Sequence, residues 1–266
     1  AIKYNQPTGS VTGGDTHAAA DIICYMNGYN DPRRAKYFIK SEFDGIDYAG
    51  IRISIEKPSL NSVGRKYSGV NVTTEDPLVW MNAAEVAFLK AEAKAVFGFN
   101  MGTGTAEEFY NEGIKLSFEQ FGLSGYAEYA EDNENKPATY ADPAGLNSYA
   151  GVLSSITVKW NDAATTAEKQ ERIMIQKWIA NFNNGIEAWS DHRRTGYPKF
   201  FPATDAGNKS GGSVTNEFGA RRMVYPLAEY SNNGENVNAA VASYLSGPDK
   251  MGTRLWWDCN PAVVIK

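Results

Sequence analysis

The chain has 266 residues, with 42% hydrophobic and 21% charged side chains, a composition that folds into one large or two small globular bodies. Its net charge of −5 comes with arginines only in short pairs, such as Arg33-Arg34, Arg193-Arg194 and Arg221-Arg222, which argues against a nucleic-acid partner. No apolar run reaches the ~18 residues of a membrane span. The first residues, Ala1-Ile2-Lys3, lack an initiator methionine and a signal peptide, so the expectation is a processed chain or a piece of a longer one.

Residues 1–75 are punctuated by glycines, from Gly9 to Gly69, and read as loop-rich. Within them Asp21–Asn27 is apolar enough for a short helix, and Ile51-Arg52-Ile53-Ser54-Ile55 alternates like a half-buried strand. The acidic, proline-bearing Glu75-Asp76-Pro77 predicts a helix start. Val86, Leu89, Ala93 and Val96 continue at helical spacing until Gly98. Thr105-Ala106-Glu107-Glu108 is a capping box for a second helix, which carries Tyr110, Gly113, Ile114 and Ser117 on one face and stops at Gly122. Two such helices with small residues at Ala91, Ala95 and Gly113 read as one tetratricopeptide-like hairpin, which needs neighbours to bury its face.

Residues 123–162 read as a long polar loop containing the turn Asp142-Pro143-Ala144-Gly145. A second capping box, Thr165-Thr166-Ala167-Glu168, opens a helix through Ile173, Trp178 and Phe182. Asn183-Asn184-Gly185 breaks it before Ile186–Trp189, and Tyr197-Pro198 ends that element. Residues 200–220 read as loop, Arg222–Leu227 as extended, and Ala239–Leu245 as a short helix. The tail Leu255-Trp256-Trp257-Asp258 is too aromatic for solvent and is expected to dock on the body.

Little in the chain points to catalysis. His17 and His192 have no metal spacing, and no GxSxG elbow is present. The glycine-rich 98–105 lacks a P-loop's GK[ST] ending and follows a helix, so it reads as a turn. Glu187 and Asp191 share a helix face, but Arg193, Arg194 and His192 beside them make an ion-pair cluster the simpler reading. Asp191 alone is too little for calcium. No cofactor, metal site or catalytic residue is expected, and a Cys24–Cys259 disulfide stays open.

Several segments together resemble one family. Trp80–Ala93 is similar to the AEvyfLkAEA helix of SusD/RagB-like proteins. The segments Ile175-Gln176-Lys177-Trp178-Ile179-Ala180 and Asn184–Pro198 resemble its QKWIA…NG.EAW.D.RRTG.P block. Arg222–Glu229 with Asn232-Asn233 and Leu255-Trp256-Trp257-Asp258 resemble its R..YP..E…N and WWD segments, and Asn30-Asp31-Pro32-Arg33 fits as well. The resemblance implies a mainly α fold of tetratricopeptide-like helix pairs with long irregular loops and minor β. The whole chain, 1–266, would be a single SusD-like region: loop-rich 1–75, helical core 76–122 and 163–197, and irregular 198–266. Family members are commonly about twice this length, so the chain is expected to be a C-terminal portion without the lipid anchor.

The resemblance also implies a non-catalytic glycan-binding protein on the outer face of a Gram-negative outer membrane, partnered by a SusC-like TonB-dependent transporter. Glu85, Glu92, Trp178, Trp189, Arg193 and Arg194 are expected to hold helices together. Family motifs assign no sugar site. Sugars need aromatic faces and planar hydrogen-bonding groups, and Tyr48, Arg52, Tyr67 and, more weakly, Tyr4 supply that mixture in the loops. Alternatives are a helical-repeat scaffold that binds only protein and a carbohydrate-active enzyme using Glu187 and Asp191.

Overall fold

A computed structural model describes residues 16–56 and 64–259. The chain forms two compact units: Ala1–Ile53, Pro58–His192 and Tyr197–Phe200 make the first, and Ser54–Lys57, Arg193–Gly196 and Phe201–Lys266 the second. The described secondary structure is helical: α1 (Ala20–Gly28), α2 (Arg34–Tyr37), α3 (Ala83–Ala95), α4 (Ala106–Gln120), α5 (Tyr126–Ala130), α6 (Thr166–Ala180), α7 (Gly185–Thr195) and α8 (Leu227–Tyr244). β structure among the described residues is limited to isolated bridges.

In the first unit α3, α4 and α6 form the core. Both capping boxes are in place: Thr105 and Glu108 at α4, Thr165 and Glu168 at α6. Phe88 of α3 packs on Tyr110 of α4, and Lys94 reaches the carbonyl of Gly104, so the two helices run antiparallel. A Cβ on Gly113 would lie 2.7 Å from the Phe88 ring, which is why a glycine stands at that approach. α6 runs antiparallel to α3 on another side. The Asn82 amide donates to the Ala180 carbonyl at 2.9 Å, Lys177 pairs with Glu85 at 3.1 Å, and the Gln170 amide donates to Glu92 at 2.9 Å. The tetratricopeptide-like pairing expected of these helices is therefore the observed one.

The tyrosines explain how long irregular segments stay attached to so small a helical core. Tyr25, Tyr29, Tyr37 and Tyr110 are fully buried, and each hydroxyl donates to a distant backbone carbonyl. Tyr29 reaches Ile156 (2.8 Å), Tyr110 reaches Val158 (2.7 Å), Tyr37 reaches Ile179 (3.0 Å) and Tyr25 reaches Lys199 (3.1 Å). Each ring fills apolar space while its hydroxyl is satisfied by a backbone carbonyl far along the chain. Segment 123–162 is accordingly no polar loop. It contains α5 and buries Leu153, Ile156, Val158 and Trp160, with the Trp160 ring centre 5.3 Å from that of Tyr110.

Other boundaries differ from the sequence reading. Asp76 does not open a helix: its carboxylate accepts from the backbone N–H and hydroxyl of Thr73, and Asn82 takes the N-cap of α3. Only Ile51 of the alternating 51–55 run pairs, with Ala19, and Ser54 turns the chain at a φ of 50°. Both cysteines are free thiols.

The second unit is tied by arginines. Arg221 pairs with Asp258 at 2.5 Å, and Arg193 donates to the Arg221 carbonyl at 2.7 Å while its guanidinium lies 4.8 Å from the Trp257 ring centre. Asp249 accepts from Arg222, from the Tyr230 hydroxyl (2.8 Å) and from the Tyr225 N–H (3.1 Å). α8 is longer than the expected Ala239–Leu245, with one irregular residue at Asn233. Trp256 does not dock, being 82% exposed.

Candidate functional site

Three strips of backbone in the first unit are laced together. The N–H of Ala18 donates to Ser68, that of Ser68 to Ala49, that of Ile51 to Ala18, and that of Ala20 to Ile51, all at 2.8–2.9 Å. A side chain at Gly50 would collide with the Ala19 carbonyl at 2.5 Å, so this close approach needs glycine. The Tyr140 hydroxyl donates to the Gly50 carbonyl at 3.0 Å and brings a fourth segment, 140–151, onto the strips.

That segment is folded around one carboxylate. Asp142 is buried and accepts from the Tyr67 hydroxyl (2.5 Å) and from the N–H groups of Ala144 (3.1 Å), Leu146 (3.1 Å) and Asn147 (2.9 Å). Its own N–H donates to the Ser148 hydroxyl at 2.9 Å. Tyr140 and Tyr149 close the base as an antiparallel bridge. The Arg52 guanidinium lies 5.2 Å from the centre of the Tyr149 ring, within cation–π range, and its Nη1 is 3.5 Å from the Asn147 carbonyl. A Cβ on Gly151 would fall 2.5 Å from the Tyr149 ring, so the ring also rests against bare backbone. Leu146, Ser148 and Val152 face solvent, and Asn147 and Tyr149 are half-buried.

Burial, with Asp142 beside it, pushes the Tyr67 phenol well above its ordinary range, and burial does the same for Tyr140. Both remain neutral donors at physiological pH. Burial lowers the pKa of His17, whose Nδ1 lies 3.1 Å from the Tyr67 carbonyl.

Of the residues singled out by sequence, Arg52 and Tyr67 meet at this loop and Tyr48 does not. The Tyr48 ring lies under the Arg34 guanidinium at 4.6 Å, and its carbonyl accepts from Asn27 at 3.2 Å. Tyr48 is 9% exposed, Arg52 7% and Tyr67 1%, so the Tyr67 ring is packed inside the protein and touches Phe43. Tyr4 lies outside the described residues. Sequence reasoning missed Tyr149, Asn147 and the clamp made by Asp142; the Asp-Pro-Ala-Gly turn marked the loop but not its contents. The Glu187/Asp191 pair is divided: Asp191 binds Lys177 at 2.7 Å, and Glu187 faces solvent. Among the described residues no group of three or more His, Cys, Asp or Glu side chains could hold a metal, and no helix is long and apolar enough to cross a membrane.

Comparison with known proteins agrees with the sequence motifs. A family model described as SusD-like, the SusD and RagB outer membrane lipoproteins, matches residues 3–258. A SusD homologue from Bacteroides uniformis is 57% identical with a TM-score of 0.90, over 98% of this chain and 52% of its own. A homologue from Bacteroides thetaiotaomicron is 47% identical with a TM-score of 0.82, over 92% of this chain and 52% of its own. A chitin-binding SusD homologue from Flavobacterium johnsoniae is 44% identical with a TM-score of 0.79, over 91% of this chain and 49% of its own. Among curated proteins there is no match. The chain spans about half the length of the solved relatives. With the family model covering nearly its full length and the helix pairs superposing on solved members, the chain belongs to the SusD-like family.

Proposed function

We propose that the chain is part of a non-catalytic oligosaccharide-binding protein of the outer membrane, one that passes glycan to a TonB-dependent transporter and is held at the outer face by a lipid anchor. Family membership supports this, as does the relative from Flavobacterium johnsoniae, which is described as chitin-binding. The observation that carries it is the loop 140–151. One carboxylate and one arginine hold it in a single shape, and it presents an amide, hydroxyls and a tyrosine ring. Oligosaccharides are bound by that kind of surface: ring faces for C–H groups, and planar amides and hydroxyls for sugar hydroxyls.

In this reading Arg52 and Tyr67 act from behind the loop, positioning Tyr149 and Asn147. Tyr48 supports the neighbouring strip through Arg34 and Asn27. Tyr149 is the direct contact. The chitin-binding relative makes oligomers of N-acetylglucosamine the first ligands to test, beside α-glucans. Calorimetric titration should show binding that Tyr149→Ala weakens by about tenfold, or ~1.4 kcal/mol. A protein-only scaffold would bind none of these glycans. An enzyme would release new reducing ends from them, and release that vanished in Glu187→Gln would overturn the non-catalytic reading.

A further inference from the structure

The dipeptide Asn-Gly occurs three times in the chain, at Asn27-Gly28, Asn184-Gly185 and Asn233-Gly234. It favours one intrinsic reaction of the polypeptide, because a glycine has no Cβ to keep its backbone nitrogen away from the side-chain amide before it. Folding decides whether that approach is possible. At Asn27 it is closed. This residue lies inside α1, where its amide donates to the Tyr48 carbonyl at 3.2 Å and its amide oxygen accepts from Arg34 at 2.6 Å. A Cβ on Gly28 would fall 2.1 Å from the Lys136 carbonyl oxygen, so the backbone there has no room to turn. Asn184 is held through its main chain as α7 begins: its N–H donates to the Asn181 carbonyl at 2.9 Å, and its carbonyl accepts from Ala188 at 3.2 Å.

Asn233 is open. It lies within α8, yet its φ of −145° and ψ of 30° leave helical geometry, so the helix is interrupted at this residue. The Asn233 side chain is exposed and Gly234 half-exposed. Outside its own stretch of helix, no atom lies within 4 Å of where a Cβ on Gly234 would sit. Val237 is the one buried residue of α8, so little packing opposes local rotation of the backbone. The Asn236 amide donates to Oδ1 of Asn233 at 2.6 Å. That bond draws electron density from Cγ and stands where an oxyanion would form if a nucleophile added to Cγ.

We propose that Asn233 is a self-modifying site, at which the Gly234 nitrogen attacks Cγ of Asn233 with Asn236 as the activating donor. The new N–Cγ bond closes a succinimide ring. The Cγ–Nδ2 bond breaks, and ammonia leaves with the proton from the Gly234 N–H. Water then opens the ring at one of its two carbonyls, giving aspartate or isoaspartate. The sum is amide plus water to acid plus ammonia, and it needs no oxidant and no cofactor. Either product adds a negative charge to a helix that already exposes Glu229 and Glu235. The isoaspartate also inserts a methylene into the backbone where α8 is interrupted, which shifts its two halves apart.

Peptide mapping by mass spectrometry tests this on the folded chain held for days at mildly alkaline pH, with an isoaspartyl methyltransferase to tag the β-linked product. The Asn233 peptide should convert about tenfold faster than the Asn27 and Asn184 peptides. In guanidinium chloride the three should approach a common rate, because the fold no longer separates them. Asn236→Ala should slow conversion at Asn233 several-fold in the folded chain, with unchanged helical circular dichroism, and should have no effect in the unfolded one. Gly234→Ala, which favours the helix, should suppress the reaction. The inference is overturned if Asn233 reacts no faster than Asn184 in the folded chain, or if Asn236→Ala leaves its rate unchanged. Conversion at the same rate in Gly234→Ala would likewise exclude attack by the nitrogen of residue 234.

Discussion

Asp31 and Arg33 offer the sharpest test of how the first unit holds together. Both side chains are wholly buried. Arg33 donates to Asp31 through Nε (2.9 Å) and Nη2 (2.6 Å), to Ser117 of α4 (3.0 Å), and to Gln176 of α6 (2.8 Å). Asp31 also accepts from the Tyr129 hydroxyl at 2.8 Å, so one ion pair links α4, α5 and α6. Asp31→Asn keeps the shape and removes the charge, leaving a buried guanidinium without its counter-ion. Breaking a buried pair in this way costs about 3–5 kcal/mol. Against a total stability of ~5–15 kcal/mol, that is about a fifth of the fold or more. Arg33→Met should cost a similar amount, because Ser117, Gln176 and Tyr129 lose a partner at ~1–3 kcal/mol each. The double variant should be no worse than the worse single one, since neither charge then remains. Urea unfolding followed by circular dichroism measures all three. A loss below ~1 kcal/mol for Asp31→Asn, or additive losses in the double variant, would refute the argument.

Three further outcomes follow from local geometry. Gly113→Ala adds a methyl group 2.7 Å from the Phe88 ring. Overpacking of ~1–3 kcal/mol should outweigh the ~1 kcal/mol gain in helix propensity, and Phe88→Leu should relieve it in urea titrations. Burial, with Asp21 adding to it, pushes the Cys24 thiol up to about 12, whereas Cys259 is exposed. Ellman's reagent should therefore titrate one thiol in the native chain and a second only in urea; two equally fast thiols would contradict this. Burial lowers the pKa of His17 below 6.5, so the unfolded chain binds more protons just below that pH. Its contribution to stability is complete above pH 6.5 and declines as the pH falls below it. His17→Gln should flatten that part of the pH–stability curve, and an unchanged curve would contradict the assignment.

The parts of the fold legible in the sequence were those fixed by neighbours three or four residues away. Thr105/Glu108 and Thr165/Glu168 are reciprocal local contacts, and each marked the start of its helix. The start of α3 was misplaced because two residues competed for it. Asp76 closes its own turn with Thr73, while Asn82 wins the cap through a carbonyl 98 residues away. Segment 123–162 looked polar because its buried residues are sparse; what ties it to the core is the hydroxyls of Tyr29 and Tyr110, remote in sequence. The candidate site divides the same way. Polar and aromatic character drew attention to Arg52 and Tyr67, but whether a tyrosine faces solvent is set by its hydroxyl's partner. For Tyr67 that partner is Asp142, 75 positions on. Tyr149 went unseen because the Arg52 guanidinium set against its ring lies far from it in sequence and is brought to it by folding.

The claim that this chain binds oligosaccharide through the loop 140–151 is tested most directly by calorimetric titration of N-acetylglucosamine oligomers into the wild-type chain and Tyr149→Ala. The account predicts saturable binding to the wild type, about tenfold weaker binding to the variant, and no new reducing ends. Equal affinity in both would remove the loop from the site, and binding of neither these oligomers nor α-glucans to the wild type would contradict the central claim.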